Sequence, residues 1–277
     1  MSKVWFVTGS ARGLGRAFVE AALDRGDRVA ATARDAARLD ALVAAYGAAV
    51  LPLELDVTDR SAVHEAVRTA VDKFGRLDVV VNNAGYGLFG AVEELGEREL
   101  RDQLETNLLG PVWVVQAALP QLRAQGGGHI VQISSVGGVV AMPMGGGYHA
   151  SKWALEGLSE SLAQEVAAFG IKVTIVEPGS YATDAIATAV RSEADPLYEG
   201  LRAGFAEAVK NLDEGTPAAA GRALLEVVDA ENLPLRVFFG RQGNELLPQV
   251  YAARLDDWAA CQGLAVAAHG TGADRPS

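Results

Sequence analysis

The chain has 277 residues, of which 49 % are hydrophobic, so it is long enough and apolar enough to fold around a large core. Its net charge of −11 excludes the broad basic surface with which proteins bind nucleic acid or anionic membranes. The single cysteine, Cys261, excludes an internal disulfide and fits a reducing cytoplasm, where we expect the protein. The first apolar run is too short for a signal peptide, and no membrane span or metal site is predicted.

Short apolar runs alternate with longer amphipathic stretches as far as about residue 180. The apolar runs are rich in valine, isoleucine and leucine, and they read KVWFVTG, RVAATA, AVLPLELDV, LDVVVNNAG, GHIVQISS and IKVTIVEPG. Strands of this kind, each followed by a helical stretch, are typical of a parallel sheet that is covered on both faces. The prediction is an α/β fold, a doubly wound, Rossmann-like parallel sheet of about seven strands flanked by helices on both faces.

The last third of the chain carries weaker signals. Residues 183–216 show little periodicity, and they are candidates to cover a ligand as a mobile segment. PAAAGRALLEVVDAEN predicts a helix, LRVFFG predicts the last strand, and a final helix ends near Cys261. No linker separates a second domain, so we predict one domain over residues 1–262 and a flexible tail over 263–277.

A glycine-rich loop, TGSARGLG, follows the first predicted strand. Gly9, Gly13 and Gly15 let the backbone turn tightly and approach a ligand closely. The next helix presents free N–H groups and the positive end of its dipole, which suit a pyrophosphate. The spacing is G-x-x-x-G-x-G, and such a triplet is sometimes only a turn. Its place between a first strand and a helix predicts that this loop, with Ser10 and Leu14, binds a dinucleotide.

The second predicted strand ends in Thr32, Ala33 and Arg34. A cofactor with a free ribose 2′-hydroxyl usually meets an acidic residue at this place. Ala33 cannot accept a hydrogen bond, whereas Arg34 offers a planar fork for a phosphate, and Arg12 can approach from the glycine loop. We therefore predict NADP as the cofactor. The alternative is a solvated Arg34 with the ribose on Asp35, a residue better explained as a helix N-cap.

YHASK places Tyr148 and Lys152 four residues apart at the start of a predicted helix. Residues with this spacing share a helix face. The pair is either an acid with the charge that tunes it or a surface pair without chemistry. Ser135, at the end of the neighbouring strand, favours the first interpretation. His149 lies about 100° away around the helix, so we expect it to pack or to be solvated rather than to act as a base.

Five motifs in order resemble those of a known family. They are TGSARGLG at 8–15, NNAG at 82–85, ISS at 133–135, YHASK at 148–152 and PGSYAT at 178–183. From residue 3 to about residue 183 the sequence resembles the single-domain short-chain dehydrogenases/reductases. The resemblance implies that Tyr148 is the acid/base of a hydride transfer. Lys152 would lower the pKa of Tyr148 and bind the nicotinamide ribose, and Ser135 would hold the substrate oxygen.

The resemblance also gives a role to Asn107, which would help to hold a water that links the lysine to solvent. Asn107 lies in a predicted helix from about Glu97 to Gln125, which Gly110 and Pro111 interrupt. Pro111 lacks the N–H that would bond to the Asn107 carbonyl four residues back. We therefore expect this carbonyl to be free for the water. A kink required only by packing is the alternative.

Further cofactor contacts follow from the resemblance. They are Asp56 and Val57 beside the adenine, Asn83, Ala84 and Gly85 at the sheet centre, and Pro178, Gly179 and Thr183 around the nicotinamide. The residues expected to border the substrate are mostly apolar, namely Tyr86, Leu88, Phe89, Val136, Met142, Met144 and Tyr181. These residues predict an apolar or aromatic ketone, aldehyde or secondary alcohol as substrate, although each could also be ordinary core.

The sequence therefore predicts an NADP(H)-dependent carbonyl reductase or alcohol dehydrogenase. One alternative is a sugar-nucleotide epimerase or dehydratase, whose group usually has another glycine spacing and a larger C-terminal region. The other is a redox-sensing regulator that binds NADP without turnover. The resemblance further suggests a homodimer or homotetramer that pairs through the long helices beginning near residues 97 and 148.

Overall fold

The computed structural model of the protein describes residues 2–232 and 234–270. Its strands in chain order are β1 (Val4–Val7), β2 (Arg28–Ala33), β3 (Val50–Glu54), β4 (Val79–Asn82), β5 (Leu88–Phe89), β6 (Gly128–Ile133), β7 (Ile171–Pro178), β8 (Val190–Arg191) and β9 (Arg236–Phe239). Its α-helices are α1 (Gly13–Asp24), α2 (Asp40–Tyr46), α3 (Arg60–Phe74), α4 (Glu97–Leu104), α5 (Gly110–Ala124), α6 (Gly146–Val166), α7 (Glu199–Lys210), α8 (Pro217–Asp229), α9 (Gln242–Ala260) and α10 (Gln262–His269).

Seven strands form one sheet in the order β3-β2-β1-β4-β6-β7-β9, and each neighbouring pair is parallel. β5 and β8 form a separate two-stranded ribbon. The order of the large sheet reverses between β1 and β4, and parallel α/β sheets open a ligand crevice at such a reversal. The predicted doubly wound fold is confirmed, and the reversal places the crevice at the carboxyl ends of β1, β4, β6 and β7.

Two hydrophobic clusters cover the two faces of the sheet. In β1, Trp5 and Val7 face a cluster to which α1, α2 and α8 contribute, whereas Val4 and Phe6 face a cluster built with α3, α5 and α6. Alternate residues of a strand point to opposite faces of the sheet. Because a hydrophobic cluster covers each face, all four of these side chains are fully buried. Burying a large apolar side chain stabilises a fold by about 1.5–3 kcal/mol. Continuous apolar strands are thus explained by helices on both sides.

Local signals set the ends of α3, one of the helices on the second face. The Asp59 carboxylate accepts hydrogen bonds from the amides of Ser61 at 2.8 Å and Ala62 at 3.0 Å, which caps the helix. Gly75 ends α3 with a φ of +81°, the left-handed conformation that glycine adopts without strain. The position of α3 against the sheet therefore follows from residues that are adjacent in the sequence.

The C-terminal segment is helical for longer than the sequence predicts. α9 ends at Ala260, close to the predicted end at Cys261, but α10 then occupies the first part of the stretch predicted as a tail. Residues 271–277 of that stretch lie outside the described residues. In the part of the chain that the structure describes, no helix has the length and apolar character needed to cross a membrane.

Candidate active site

The glycine loop follows β1 and is shaped by contacts with the end of β4. Gly9 has a φ of +69°, and a Cβ atom there would lie 2.9 Å from the Ala84 Cα atom. A Cβ atom on Gly15 would lie 2.3 Å from the Gly9 carbonyl oxygen. Side chains at these two places would push the loop away from β4, so glycine is required by the close approach of two backbones.

The first turn of α1 forms a cradle for an anion. Its N-cap residue, Arg12, makes no side-chain hydrogen bond to the helix, and Gly13 presents no side chain. A Cβ atom on Gly13 would have its nearest neighbour in the Thr183 methyl group, at 3.5 Å. The first N–H groups of a helix carry partial positive charge and need acceptors. The cradle therefore fits the pyrophosphate of a dinucleotide, as the sequence predicts.

The loop after β2 carries the two residues that bear on the choice of cofactor. Asp35 caps the 3₁₀ turn that follows, since its carboxylate accepts from the Ala37 amide at 3.1 Å, which confirms the predicted capping role. Arg34 is exposed at the strand end. Arg12 lies in an ion pair with Asp184, a residue that the sequence analysis did not single out. The Asp35 carboxylate thus caps the turn, and Arg34 is the exposed cation beside it at the strand end.

The NNAG motif joins the sheet centre to the glycine loop. The Thr8 hydroxyl accepts from the amides of Asn83 and Ala84, both at 3.0 Å, and the Asn83 side chain donates to the carbonyls of Thr8 at 3.0 Å and Gly9 at 3.1 Å. Gly85 comes next, and a Cβ atom there would lie 3.0 Å from the Asn107 side-chain oxygen. The motif therefore sets the shape of the crevice floor by hydrogen bonds within the chain.

The two residues expected beside the adenine are held by their own neighbours. The Asp56 carboxylate accepts from the amide and hydroxyl of Thr58, at 3.0 Å and 2.8 Å. Val57 is buried, and its side chain lies 2.8 Å from where a Cβ atom on Gly110 would be, so α5 begins directly against this loop. Both residues lie after β3 on the side of the crevice where the second strand also ends.

Three side chains meet at the carboxyl end of β6. Tyr148 and Lys152 share one face of α6, with the Lys152 Nζ atom 6.0 Å from the centroid of the tyrosine ring. The Ser135 hydroxyl lies close enough to the Tyr148 hydroxyl to favour its ionised form. The Ser135 hydroxyl also accepts from the Gly137 amide at 3.0 Å. Lys152 donates to the Ile133 carbonyl at 2.8 Å. The structure therefore brings together the three residues that the sequence singles out.

Burial dominates the proton equilibria of this group. It raises the pKa of Tyr148 above its ordinary value, and the nearby Ser135 hydroxyl acts in the opposite direction. It lowers the pKa of Lys152 to about 8, while the negative charge of Glu156 favours the ammonium form. Loss of water thus outweighs the favourable contacts of the phenolate in the chain alone. The lowering of the Tyr148 pKa by Lys152 together with an oxidised nicotinamide stays a prediction.

Asn107 is fully buried beside this group. The helix widens to a π-turn over Glu105–Leu109, just before Pro111, and the Gly110 amide donates to the Glu105 carbonyl. The Asn107 side-chain oxygen accepts from the Tyr86 amide at 3.1 Å, and its nitrogen donates to the Tyr86 carbonyl at 3.0 Å. The same nitrogen donates to the Ser151 hydroxyl at 3.1 Å. Asn107 thus ties α6 to the loop after β4, and its carbonyl's role toward a water stays a prediction.

A buried ion-pair cluster lies one turn beyond Lys152, and the sequence analysis did not identify it. Glu156 and Glu177 are 5 % and 1 % exposed, and the Arg236 Nε atom lies 3.2 Å from the first carboxylate and 3.7 Å from the second. Burial and the charge of Glu156 raise the pKa of Glu177 to about 7. The spacing of Lys152 and Glu156 on one helix face could have revealed part of this cluster. The approach of β7 and β9 that completes it has no local signal.

The segment after β7 borders the crevice opposite the glycine loop. Pro178 ends β7, and the Gly179 amide donates to the Phe239 carbonyl at 2.8 Å. A Cβ atom on Gly179 would lie 1.8 Å from the Gln242 side-chain oxygen, so α9 approaches closely here. Thr183 faces Gly13 across the crevice. The three predicted nicotinamide contacts therefore lie on one continuous segment beside β6 and β9.

Some of the residues expected to border the substrate lie on the loop between β6 and α6, and the others lie on other segments. Met144 is buried at the start of α6, while Met142 is 49 % exposed on the same loop. Val136 packs in a small cluster with Phe238 and with Leu247 of α9. Leu88 is fully buried in β5. Both tyrosines of the expected set are held by other parts of the chain. Tyr86 is fixed through Asn107, and Tyr181 packs against Gly215 and the core on the α1 side of the sheet.

An aromatic side chain of β5 lies beside the proposed acid/base. A second one, from the segment predicted to lie over the ligand, packs against the first. The ring centroid of Phe89 lies 6.3 Å from that of Tyr148 and 5.1 Å from that of Phe205, which is on α7. β8 belongs to this segment and pairs with β5, and the pairing holds the segment over the site. The Glu94 carboxylate accepts from the Asp195 amide at 2.7 Å and pairs with Arg202. Phe205 was not predicted, because nothing in the local pattern indicates that α7 folds back onto β5.

Comparisons with known proteins agree with this geometry. A family model described as short chain dehydrogenase matches residues 3–194. The oxidoreductase BOA17 of Botryotinia fuckeliana is 44 % identical over 246 residues, covering 87 % of this chain and 89 % of the relative. A short-chain dehydrogenase from Streptomyces avermitilis has a solved structure with a TM-score of 0.90 and 40 % identity, covering 96 % of this chain and 98 % of that one. The structure of an alcohol dehydrogenase from Thermococcus sibiricus, solved with 5-hydroxy-NADP, has a TM-score of 0.73 and 27 % identity. The match covers 86 % of this chain and 96 % of that one.

Proposed function

The chain belongs to the short-chain dehydrogenase/reductase family and is an oxidoreductase of that family; on this basis we propose that it transfers a hydride between NADP(H) and a ketone, aldehyde or secondary alcohol. The observation that carries the proposal is the meeting of Ser135, Tyr148 and Lys152 beside a helix N-terminus that is shaped for an anion. An acid, a cation and a pyrophosphate site in one crevice are what carbonyl reduction with a nicotinamide requires.

The residues that would hold the cofactor lie along the crevice. The glycine loop and the first turn of α1 would bind the pyrophosphate, and Lys152 would bind the nicotinamide ribose. Arg34 would bind the adenosine 2′-phosphate, since it is the exposed cation at the end of β2 and Asp35 is engaged as a cap. When bound, the nicotinamide supplies or accepts the hydride. Preference for NADP is supported by the capping hydrogen bond of Asp35 and by the 5-hydroxy-NADP with which the Thermococcus sibiricus structure was solved.

Tyr148 would donate the proton to the carbonyl oxygen in reduction and would accept it in oxidation. The Ser135 hydroxyl would orient the same oxygen, because it lies beside the Tyr148 hydroxyl and favours its ionised form. Lys152 would stabilise the phenolate that forms when the proton leaves. Burial alone makes this phenol a weaker acid, so the cationic groups around it must provide the stabilisation.

The substrate would be apolar around its carbonyl group. Phe89 lies beside Tyr148 and Phe205 packs on Phe89, so this side of Tyr148 is covered by apolar surface. The neighbouring cations Lys152 and Arg236 are occupied by backbone and by carboxylates of the chain. An apolar or aromatic ketone or aldehyde therefore fits better than a phosphorylated or carboxylated one.

Turnover by the variant Tyr148→Phe tests this function. We expect wild-type protein to oxidise NADPH, followed at the nicotinamide absorbance, with at least one member of a panel of alkyl and aryl ketones and aldehydes. Tyr148→Phe should lose at least about 10²-fold in kcat, the typical contribution of an acid/base group, and should still bind NADPH. Tyr251→Phe, on the exposed face of α9, is the matched control and should behave as wild type.

The outcomes separate the alternatives. NADPH binding by wild-type protein without turnover of any carbonyl on the panel would contradict the enzyme and favour a redox-sensing regulator. Turnover of a sugar nucleotide without net oxidation of NADPH would favour an epimerase. A higher kcat/KM with NADH than with NADPH would contradict the proposed cofactor preference. We also propose a cytoplasmic homodimer or homotetramer.

A further inference from the structure

His149 is a buried side chain beside the proposed acid/base that the proposed reaction does not use. It is 7 % exposed and follows Tyr148 in the first turn of α6. Both ring nitrogens are engaged. Nδ1 lies 2.9 Å from the Gly137 carbonyl oxygen, and Nε2 lies 3.1 Å from the Met142 amide nitrogen. The ring therefore joins two separate points of the loop between β6 and α6.

The loop is shaped around this ring. A Cβ atom on Gly137 would lie 2.8 Å from His149 Nδ1, and a Cβ atom on Gly145 would lie 2.5 Å from Nε2. These distances are shorter than carbon and nitrogen atoms that are not bonded to each other can approach. Glycine thus stands at the two places where a side chain would displace the imidazole, so the ring and the loop fit each other.

The two hydrogen bonds fix the form of the imidazole. A carbonyl oxygen only accepts, so Nδ1 must carry the hydrogen that it donates to Gly137. An amide N–H only donates, so Nε2 must be bare in order to accept from Met142. Only the neutral ring with its hydrogen on Nδ1 satisfies both partners. If Nε2 were protonated, its N–H would point at the Met142 N–H, and neither group could accept a hydrogen bond from the other.

The loop carries the substrate-facing groups at both of its ends. The Gly137 amide donates to the Ser135 hydroxyl at 3.0 Å, so the residue whose carbonyl His149 holds also orients Ser135. At the other end, Met144 has a φ of +69°, a strained value for a residue with a side chain. The Met144 carbonyl accepts from the Gly90 amide at 2.9 Å, which connects the loop to the strand of Phe89.

We propose that His149 is a positioning residue, whose neutral ring braces loop 136–145 and thereby holds the Ser135 hydroxyl and the Met144 side chain in register with Tyr148. The inference rests on the proposed function, since the groups that it aligns are those of the proposed reaction. The titratable group that faces the ring is Tyr148, with centroids 5.9 Å apart, and the other contacts described are to loop backbone.

Acid pH should release the brace. Burial lowers the pKa of His149, because the charged imidazolium would lose its water in the braced loop. Because the pKa of His149 is lower in the braced loop than in an open loop, the ring binds a proton more tightly when the loop is open. The stabilisation by the brace is therefore complete above the open-loop histidine pKa of about 6.5. It declines as the pH falls below that value and is lost as the pH falls through the lower pKa of the braced ring.

The kinetic test compares two substitutions. His149→Phe keeps an aromatic ring and removes both hydrogen bonds, and we expect kcat/KM for the best carbonyl of the panel to fall about tenfold or more. The dissociation constant for NADPH should stay within about twofold, because the cofactor cradle lies on other loops. His149→Gln keeps one donor and one acceptor and should recover part of the loss. His64→Gln, on the exposed side of α3, is the control.

The pH profile adds a readout that a purely structural role would not move. An acid limb of kcat/KM that is present in wild type should disappear in His149→Gln, which cannot be protonated. The proposal is overturned if His149→Phe keeps wild-type kcat/KM, or if kcat/KM falls only in proportion to a weaker binding of NADPH. It is also overturned if both His149 variants keep the wild-type acid limb.

Imidazole ¹⁵N spectra test the brace without any turnover. In ¹⁵N-histidine-labelled protein, the ring that disappears in His149→Gln should show a protonated Nδ1 and a bare Nε2 at neutral pH. Observation of the opposite tautomer, or of a charged ring at pH 7, would overturn the brace even in an active enzyme. A correct tautomer in a protein that reduces no carbonyl would leave the brace standing and would contradict the proposed function instead.

Discussion

A buried lysine stays charged only when an anion offsets the loss of water around it. Lys152 is 6 % exposed, and Glu156 lies one turn later on the same helix. The ammonium donates to the Ile133 carbonyl, a neutral partner, so Glu156 supplies the opposing charge. The balance between burial and this charge leaves the pKa of Lys152 at about 8, which makes the residue sensitive to its surroundings.

Glu156→Gln should lower the pKa of Lys152 below about 8, because the ammonium loses the negative charge of Glu156 that favours it. The alkaline limb of the kcat/KM profile should then move toward lower pH by about half a unit to one unit. The measurement is kcat/KM against pH for NADPH oxidation. Glu165→Gln, on the exposed side of α6, is the control, and an unchanged alkaline limb in Glu156→Gln would contradict the prediction.

Arg34 is the residue on which the cofactor prediction depends. Arg34→Ala should weaken NADPH binding about 10- to 100-fold, since a hydrogen-bonded ion pair with a phosphate contributes about 1.5–3 kcal/mol. NADH binding should be unchanged, because it has no phosphate at that place. Titration of the two cofactors by nicotinamide fluorescence measures both. Arg98→Ala, on α4, removes an equal charge from an exposed site and serves as the control.

At the scale of elements, the segment from β8 to α7 covers the site through a small number of contacts. β5 and β8 pair over only two residues each. The Glu94 side chain adds the stronger connection, because one of its carboxylate oxygens receives both the Asp195 amide and the Arg202 guanidinium. The other oxygen accepts from the Ala91 amide at 2.7 Å. One carboxylate therefore fastens the cover to the loop after β5.

Glu94→Gln should loosen this cover, because a neutral amide cannot pair with Arg202 and presents only one accepting oxygen. We expect KM for the carbonyl substrate to rise several-fold with little change in NADPH binding. Amide hydrogen exchange over residues 190–210 should become faster, and this measurement does not need turnover. Glu97→Gln, in an exposed pair with Arg101, is the control, and equal exchange in the two variants would contradict the cover.

At the scale of the whole molecule, two buried carboxylates on different elements share one guanidinium. Glu156 on α6 and Glu177 on β7 both approach Arg236 on β9. The folded pKa of Glu177 is about 7, whereas its ordinary value is 4.5. A raised pKa means that the folded chain binds the proton more tightly. This contribution to stability is fully present below about pH 4.5 and is lost as the pH rises through 7.

Glu177→Gln should therefore stabilise the protein at alkaline pH, because the amide copies the protonated form. We expect the free energy of unfolding at pH 8 to exceed that of wild type by about 1–3 kcal/mol, and the two proteins to be alike near pH 4.5. Urea denaturation at several pH values measures the difference. Glu54→Gln, at the exposed end of β3, should show no such pH dependence. A constant difference across the pH range would contradict the predicted titration.

The proposed assembly is also a property of the whole molecule. The chain has a mass of 28.9 kDa. Light scattering of a homodimer or homotetramer should therefore give a molar mass of two or four times that value. Surfaces of α4, α5 and α6 are the proposed contacts. A single species at the mass of one chain, across micromolar concentrations, would contradict the proposal.

The sequence by itself determined the sheet, the glycine loop and the positions of Ser135, Tyr148 and Lys152. These features depend on patterns within a few residues, such as alternating burial, glycine at tight turns and side chains one helical turn apart. The capping role of Asp35 was predictable for the same reason. Each is set by sterics and hydrogen bonds that the neighbouring residues supply.

Only the tertiary structure decided how these groups are surrounded. Arg236 reaches Glu156 from 80 positions away in the chain, and Phe205 meets Phe89 because α7 folds back over the site. Burial raises the pKa of Tyr148, and the two hydrogen bonds of His149 depend on the path of a whole loop. Loss of water and long-range charge follow from the packing of distant segments, which no local pattern records.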